Sequence, residues 1–360
     1  MKVGTSSCMG SSHRWALARH LLNLDPVVSG SARLRGLVPL VSGPALSLPC
    51  HVGLDPYHIT NRNPKYLKKF LPFKDESKGL CLAVRTTYFR CGGLAVGILL
   101  SHKIADGVSF LFFVNAWSSV ARNVGASLPK FDTATYVPSL DILINLQPTS
   151  VLVEEDVAAR IFVFSASEIS ALQKRYTAGG CCPSRVEALL AFIWSLYTGI
   201  GSDPGKICVV HNAVNIRSRA DPPLSEYQFG NLVVSSRVVA AAGESGAELI
   251  RKVREAMKAV DAGYVGRLRK KEMQLELVRG QGGAGKATVD RFFFSSMCKF
   301  PLYEADFGWG RPDRVMSGGF PFKNLVTFMD TSGGGIQALI QLTKSDMDKL
   351  EAHFMLKSNL

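Results

Sequence analysis

A short polar segment between two apolar runs is the feature of this sequence that most restricts its fold. Residues 93–100 are apolar and residues 108–117 are almost entirely so, and between them lies Ser101-His102-Lys103-Ile104-Ala105-Asp106-Gly107. The first run is typical of a buried strand, and the second of a buried helix or strand. His102 therefore lies at the edge of a core, where burial normally excludes a titratable side chain. An imidazole ordinarily has a pKa near about 6.5, so His102 is either a general base or a core side chain bonded to a backbone group.

The spacing His-x-x-x-Asp occurs twice, and only one copy has this context. The other copy, His51-Val52-Gly53-Leu54-Asp55, is followed directly by Pro56. Proline there favours an extended or turn conformation at Asp55 and prevents a smooth helix start. The copy at His102 is therefore the candidate site.

The composition indicates a globular chain with more than one core. Of 360 residues, 47% are hydrophobic, which is more than a single core usually organises. No apolar run approaches the roughly 18 to 20 residues that span a bilayer.

Strand and helix signals are interspersed, which predicts an α/β fold. The predicted strands are 80–89, 93–100, 157–164, 207–214, 232–239 and 326–329; the predicted helices are 107–122, 167–176 with a serine cap and Glu168, 184–198 and 246–264; a proline-bearing crossover is predicted at 126–147.

The net charge of +13 does not by itself indicate a nucleic-acid partner. Residues 1–80 hold 11 Lys and Arg against 4 Asp and Glu, so more than half of the excess lies there. A solvated helix face explains the basic run at 267–271, and it lacks the interleaved aromatic residues of a nucleic-acid surface. We expect neither a nucleic-acid nor a membrane partner.

The cysteines lack the spacing of a metal site or a disulfide framework. All eight, at 8, 50, 81, 91, 181, 182, 208 and 298, lie outside any Cys-x-x-Cys or paired Cys/His pattern. Free thiols in the cytoplasm are expected, and no metal. The acid-free, Ser- and Arg-rich stretch before Asp25 has the composition of a transit peptide, which is the alternative location signal. Cys91 and Cys298 are conceivable nucleophiles, but nothing places a base beside them, and buried inert thiols are expected.

Two further motifs imitate nucleotide-binding sites. Residues 280–287, Gly-Gln-Gly-Gly-Ala-Gly-Lys-Ala, nearly satisfy the pattern of a phosphate-binding loop. A charged helical segment precedes them, and Ala287 stands where a magnesium-binding hydroxyl is needed, so a flexible surface loop is expected. Asp306-Phe307-Gly308 matches the magnesium tripeptide of kinases, but no His-Arg-Asp lies upstream.

The same tripeptide belongs to a longer and more specific pattern. His102-x-x-x-Asp106-Gly107, followed at long range by Asp306-Phe307-Gly308-Trp309-Gly310, resembles the plant BAHD acyltransferases. These enzymes transfer an acyl group from coenzyme A to an alcohol or amine. The resemblance covers about residues 66–360, includes Asn215-Ile216-Arg217 and Phe229-Gly230-Asn231, and is greatest to the alkaloid O-acetyltransferase branch.

The resemblance implies an α/β fold with the two-domain architecture of chloramphenicol acetyltransferase, in which mixed sheets are flanked by helices. The expected parts are a first domain at 1–131, a crossover loop at 132–157 and a second domain at 158–360. The first 65 residues do not match the family, so we expect a truncated or divergent start and an incomplete first domain. An unpaired sheet edge is expected unless residues 1–63 replace the missing strands.

The resemblance also implies the reaction. The expected donor is acetyl-CoA and the expected acceptor is a small-molecule alcohol or amine, such as a hydroxyl of a plant alkaloid. His102 would act as the general base, with no acyl-enzyme, in a cytoplasmic monomer. The alternatives are an inactive relative that binds coenzyme A or a partner, and a nucleotide-dependent enzyme whose ATP binding would be lost on Lys286→Ala.

Roles for the surrounding residues follow from the same resemblance. Asp106 is expected to point away from the base and to pair with Arg217, so both support the site. Asp306 is grouped with His102 as a catalytic candidate, although its implied place is distant from the reacting atoms, where it holds its loop in shape. The other supporting candidates are Gly107, Phe307, Gly308, Trp309 and Gly310, and the indole N–H of Trp309 is expected near the oxyanion. Coenzyme A is expected in a tunnel between the domains. Ser184 and Arg185, next to Pro183, are the candidates near its phosphates.

Overall fold

The computed structural model describes residues 34–41, 64–72, 80–89, 92–137, 156–201, 207–270, 290–320 and 322–357. The predictions for His51, Cys91, the loop 280–287 and the crossover beyond residue 137 lie outside these ranges.

The strands are β1 (Leu34–Val41), β2 (Leu82–Tyr88), β3 (Leu94–Ser101), β4 (Val157–Phe164), β5 (Ile207–Asn215), β6 (Val233–Ala241), β7 (Asp290–Ser296), β8 (Arg314–Ser317), β9 (Leu325–Asp330) and β10 (Ile336–Thr343). The helices are α1 (Gly107–Ala121), α2 (Thr133–Tyr136), α3 (Ala166–Arg175), α4 (Arg185–Ile200), α5 (Gly246–Lys258), α6 (Ala262–Arg269) and α7 (Lys344–Lys357), with short 3₁₀ helices at Pro64–Phe70 and Arg217–Arg219.

The first sheet has the strand order β2-β3-β1-β8, with antiparallel neighbours. The predicted strands 80–89 and 93–100 are confirmed, and they pair with each other, with Val84 opposite Ile98. β3 is buried along its whole length, which explains its unbroken apolar sequence. β1 comes from the first 65 residues and lies between β3 and β8, so the part of the chain without the family pattern contributes a strand to this sheet.

The second sheet is mixed and has the order β4-β10-β9-β7-β5-β6. β5, β7 and β9 are parallel to one another, and the remaining neighbours are antiparallel. The predicted strands at 157–164, 207–214, 232–239 and 326–329 are confirmed, and β7 and β10, which were not predicted, complete this sheet. α4 packs against α3, α5 and α7 beside this sheet. Its side chains at Leu189, Ile193 and Trp194 are fully buried in the larger core.

The structure corrects two helix predictions. The predicted helix 246–264 is two helices, because Asp261 has an extended backbone and its carboxylate accepts the backbone N–H of Tyr264 at 2.8 Å, which begins α6. The helix predicted from Ser167 begins at Ala166, and its cap is Ser165. The Ser165 hydroxyl accepts the Glu168 N–H, and the Glu168 carboxylate accepts the Ser165 N–H.

Residues from both halves of the chain build one core around α1. Phe110 and Val114 of α1 cluster with Met297, Leu302 and Val315, which come from β8 and from the segment after β7. A second cluster joins Leu99 of the first sheet to Ile161 and Leu339 of the second. The two sheets are therefore held together by apolar packing on both sides of β3. No helix in the described ranges combines the length and apolar character of a membrane span.

Candidate active site

His102 lies in the turn that joins β3 to α1, directly after the last residue of the buried strand. Its side chain is half-buried, and its Nδ1 is 3.0 Å from the carbonyl oxygen of Ala105. A carbonyl only accepts hydrogen bonds, so a neutral ring in this geometry carries its proton on Nδ1. The lone pair is then on Nε2. A bond from His102 to a backbone group was the structural alternative to a catalytic role in the sequence analysis, and this bond is present. The same bond selects the tautomer in which Nε2 can accept a proton, as a general base must.

Asn231 holds the turn that carries His102. Its Nδ2 donates to the carbonyl oxygens of His102 at 2.7 Å and of Lys103 at 3.2 Å. Asn231 closes the Phe229-Gly230-Asn231 segment, which the sequence identified only as part of the family pattern. The family motif therefore identified Asn231 as a residue of interest. The motif did not predict that Asn231 contacts His102, which lies 129 positions earlier in the sequence.

Asp106 and Arg217 form a buried ion pair, with Arg217 Nη1 2.8 Å from Asp106 Oδ2. Their side chains are 1% and 2% exposed. This is the contact that the resemblance implies, and it directs the Asp106 carboxylate toward the guanidinium. The Asp106 carboxylate also caps α1, because Oδ1 accepts the Ser109 N–H at 2.8 Å. Oδ2 in addition accepts the Leu232 N–H at 2.9 Å.

The Arg217 guanidinium is surrounded by oxygen acceptors. Beyond Asp106, it donates to the Ser109 hydroxyl at 2.9 Å, to the Gln228 carbonyl at 2.9 Å and to the Gly230 carbonyl at 3.2 Å. Buried charges are tolerated when their hydrogen-bonding groups are satisfied in this way. The network therefore joins the start of α1 to the segment 228–232, which also supports the turn of His102. Neither Ser109 nor Gln228 belongs to a motif that would have identified it as part of this network.

Asp306 supports its own loop. Its Oδ1 accepts the backbone N–H groups of Gly308 at 2.8 Å and Gly310 at 3.0 Å, and its Oδ2 is 3.3 Å from Arg122 Nη1. The hydrogen bond from Gly308 is the main reason why the pKa of Asp306 is lowered. Arg122 ends α1, whereas His102 precedes that helix. The 15 residues of α1 span about 22 Å, so Asp306 contacts the end of the helix far from His102.

The aromatic residues of this loop pack against the second half of α1. The ring centroids of Phe307 and Trp117 are 4.8 Å apart, and Trp309 stacks on Phe307 at 5.5 Å. Trp309 is 49% exposed. These contacts hold the indole against the ring of Phe307, and the predicted place of its N–H near the oxyanion stays a prediction. Gly107 begins α1, and a methyl group added there would meet only the Met297 side chain at ordinary contact distance.

Gly308 and Gly310 have φ angles of +106° and +105°, which side-chain-bearing residues rarely adopt. Gly310→Ala is therefore expected to lower the free energy of unfolding by about 1–3 kcal/mol, measured by urea denaturation. The matched control is Gly125→Ala, an exposed loop position without a positive φ and with open space around it. A loss of stability as large in the control as in Gly310→Ala would contradict the role assigned to the backbone of this loop.

Ser184 and Arg185 begin α4. The Ser184 hydroxyl accepts the Glu187 N–H, and the Glu187 carboxylate accepts the Ser184 N–H, so Ser184 caps the helix. Arg185 donates to Asp330 Oδ1 at 2.9 Å and to the Gly334 carbonyl at 3.1 Å. These bonds use two of the five guanidinium N–H groups. A helix N-terminus beside an arginine suits a phosphate group, although Asp330 competes for the same cation.

A cavity of about 260 Å³ lies at the other end of the second sheet. Cys208, Asp290 and Asn324, at the amino ends of β5, β7 and β9, are among its lining residues. Arg217, which reaches Asp106, follows the carboxyl end of β5. Since the nine residues of β5 extend about 30 Å, this cavity is separate from the His102 site.

Comparison with known proteins identifies relatives of most of this chain. A model of the Transferase family matches residues 57–357. The chain is 29% identical over 306 residues to stemmadenine O-acetyltransferase of Catharanthus roseus, covering 80% of this chain and 70% of that protein. It is 32% identical over 286 residues to vinorine synthase of Rauvolfia serpentina, covering 76% and 65%. It is also 32% identical over 316 residues to acyltransferase Pun1 of Capsicum frutescens, covering 83% and 71%.

Solved structures share the fold. The crystal structure of vinorine synthase superposes with a TM-score of 0.71 at 24% identity, covering 91% of this chain and 93% of that one. TRI101 of F. sporotrichioides, in complex with coenzyme A and T-2, gives a TM-score of 0.62 at 19% identity, covering 79% and 72%. The predicted α/β architecture of chloramphenicol acetyltransferase type is thereby confirmed. Of the two sheets, the second is mixed as predicted, whereas the described pairs of the first are antiparallel.

Proposed function

The chain belongs to the Transferase family, the BAHD acyltransferases, and on this premise we propose that it moves an acetyl group from acetyl-CoA to a hydroxyl of an alkaloid-like plant metabolite. His102 is the proposed general base. The observation that supports this assignment is the bond from the His102 ring to Ala105, which leaves Nε2 as the basic nitrogen at the end of a buried strand.

The proposed reaction has one base and no covalent enzyme intermediate. Nε2 of His102 takes the hydroxyl proton of the acceptor as its oxygen attacks the thioester carbonyl carbon. A carbon–oxygen bond forms, the carbon–sulfur bond breaks, and the sulfur leaves with the electron pair as the thiolate of coenzyme A. The imidazolium then returns the proton to that thiolate. General acid–base catalysis of this kind contributes about 10²- to 10⁴-fold in rate.

The supporting residues act by holding the base in place. Asn231 fixes the carbonyl groups of the turn, and the pair of Asp106 and Arg217 anchors the start of α1 directly after it. A base misplaced by even 1 Å loses much of its effect, so these groups are positioning residues rather than catalytic residues. We assign Asp306 the same kind of role at the other end of α1, through its bonds within the loop and to Arg122.

We propose that coenzyme A lies with its phosphates near Ser184 and Arg185, at the N-terminus of α4. The N–H groups of that helix end and the Arg185 guanidinium would receive the negative charge. The support is the placement of a cation and a helix N-terminus together. We further propose that the protein is a monomer and works in the cytoplasm. Its location there is supported by the free thiols of the described part of the chain, Cys81, Cys181, Cys182, Cys208 and Cys298, which fit a reducing compartment.

The test uses purified protein, acetyl-CoA and a panel of indole and isoquinoline alkaloid alcohols. We expect release of free thiol that depends on the acceptor, together with an acetylated product in mass spectrometry. A second candidate is a relative that binds coenzyme A without turnover, which the unmatched start of the chain favours. Tight binding of acetyl-CoA with no acceptor-dependent thiol release across the panel would support that candidate and contradict the proposed reaction.

A further inference from the structure

Two adjacent cysteines lie exposed in the turn between α3 and α4. Cys181 closes a short bridge with Ala178, and Cys182 follows it. The Cys181 sulfur contacts a guanidinium, because Nη1 of Arg254 lies 2.7 Å from it. Arg254 belongs to α5 and lies 73 positions after Cys181 in the sequence. The turn therefore holds an accessible thiol against a fixed cation.

Arg254 is held in this position by bonds other than the one to sulfur. Its Nε and Nη2 donate to the two carboxylate oxygens of Glu187 at 2.7 Å and 2.8 Å, and Nη2 donates to the Cys182 carbonyl at 3.1 Å. Burial alone would raise the pKa of Glu187, but the bonds from Arg254 and Ser184 outweigh it and lower that pKa. The hydrogen bonds that Arg254 donates to Glu187 raise the pKa of Arg254. The guanidinium is therefore a permanent N–H donor to the sulfur of Cys181.

The other thiols in the described part of the chain have different surroundings. Cys208 is buried, and Cys81 and Cys298 are half-buried. Burial raises the pKa of the Cys298 thiol to about 11, so almost none of it is thiolate at neutral pH. Cys182 is exposed in the same turn, but its sulfur lies 3.6 Å from the Pro183 carbonyl, which is an acceptor and gives no stabilisation to a thiolate. Cys181 thus combines exposure with a cationic donor, which is the environment of reactive cysteines.

We propose that Cys181 is a redox modification site that forms a mixed disulfide with small disulfides of the glutathione class. The Cys181 thiolate attacks one sulfur of the small disulfide, and a new sulfur–sulfur bond forms. The original sulfur–sulfur bond breaks, and the second sulfur leaves with the electron pair as a thiolate. The small disulfide is the oxidant. A free thiol reverses the reaction by the same exchange.

The test treats the reduced full chain with glutathione disulfide at pH 7 and maps the labelled cysteines by peptide mass spectrometry at several times. Cys181 is expected to be labelled faster than Cys182 and Cys298. In Arg254→Gln the rate constant at Cys181 is expected to fall by about tenfold, because the thiolate loses its cationic donor. Arg251→Gln is the matched control, since Arg251 lies three positions earlier on α5 and pairs with Glu248 and Glu255.

A loosened turn gives the opposite result, which keeps the test interpretable. If Arg254→Gln merely disordered the turn, labelling would become faster at both Cys181 and Cys182. Faster labelling in that variant, an unchanged rate at Cys181, or labelling of Cys182 as fast as that of Cys181 in the unmodified protein would each overturn the proposal. None of these readouts depends on acyltransferase activity.

Discussion

Replacing His102 with alanine is expected to lower kcat by about 10²- to 10⁴-fold and to leave the protein folded. The proton of the acceptor hydroxyl then has no base near the thioester, whereas the fold loses one half-buried side chain and its bond to Ala105. The measurement is acceptor-dependent thiol release from acetyl-CoA, with circular dichroism and urea denaturation to follow the fold.

A second variant separates chemistry from support of the turn. In His102→Asn, the amide can still donate to the Ala105 carbonyl, but it has no basic nitrogen, so it is expected to be as inactive as the alanine variant. His353→Ala, which removes a half-buried histidine from α7, is the control and is expected to keep normal turnover. Near-normal activity in both His102 variants would show that the assigned base is wrong.

Removing either partner of the buried pair is expected to destabilise the protein by about 3–5 kcal/mol. Asp106→Ala leaves the Arg217 guanidinium buried without its carboxylate and also removes the cap of α1. Arg217→Ala leaves the Asp106 carboxylate with its two backbone donors, Ser109 and Leu232, and no cation. Urea denaturation gives the free energy of unfolding of each variant.

The double variant Asp106→Ala/Arg217→Ala is expected to lose less than the sum of the two single losses, because no unpaired charge remains. Glu351→Gln is the control, since Glu351 pairs with Arg160 near the surface and such pairs contribute about 0–1 kcal/mol. Strictly additive losses in the double variant, or a single loss no larger than that of Glu351→Gln, would contradict the coupling of Asp106 with Arg217.

The strands and helices with long, almost entirely apolar sequences were predictable from the sequence. The unbroken run of β3 and the apolar helix α1 are where the pattern placed them, because burial on nearly every side demands such sequences. The break between α5 and α6 was missed, since apolar residues continue across it. Asp261 was the local sign of a new helix start, as its bond to Tyr264 shows.

β10 was missed for a different reason. Its buried glutamines, Gln337 and Gln341, interrupt the apolar pattern that predicts a strand. Gln337 donates to the Val315 carbonyl at 2.6 Å, and Gln341 donates to the Phe320 and Phe322 carbonyls, so both are satisfied by segments that are distant in sequence. Only the tertiary structure supplies those partners, and the sequence of the strand alone could not reveal them.

The site was predictable in its motifs and not in its contacts. The position of His102 beside a buried strand follows from the apolar pattern. The partner of Asp106 came from the family resemblance, since a spacing of 111 residues carries no readable signal. The hydroxyl of Ser109, the carbonyl of Gln228 and the amide of Asn231 complete the site, and each has an ordinary sequence context.

The pairing of β1 with β8 has a consequence for biosynthesis. Because Val38 lies opposite Met316, the first sheet cannot close until residue 316 has emerged from the ribosome. That closure spans about 280 residues, and such non-local pairing is slow. During translation, the apolar surface of α1 that later covers Leu302 and Val315 stays open to chaperones and to aggregation. Coding the two predicted domains as separate genes would therefore produce halves that each lack part of their own core.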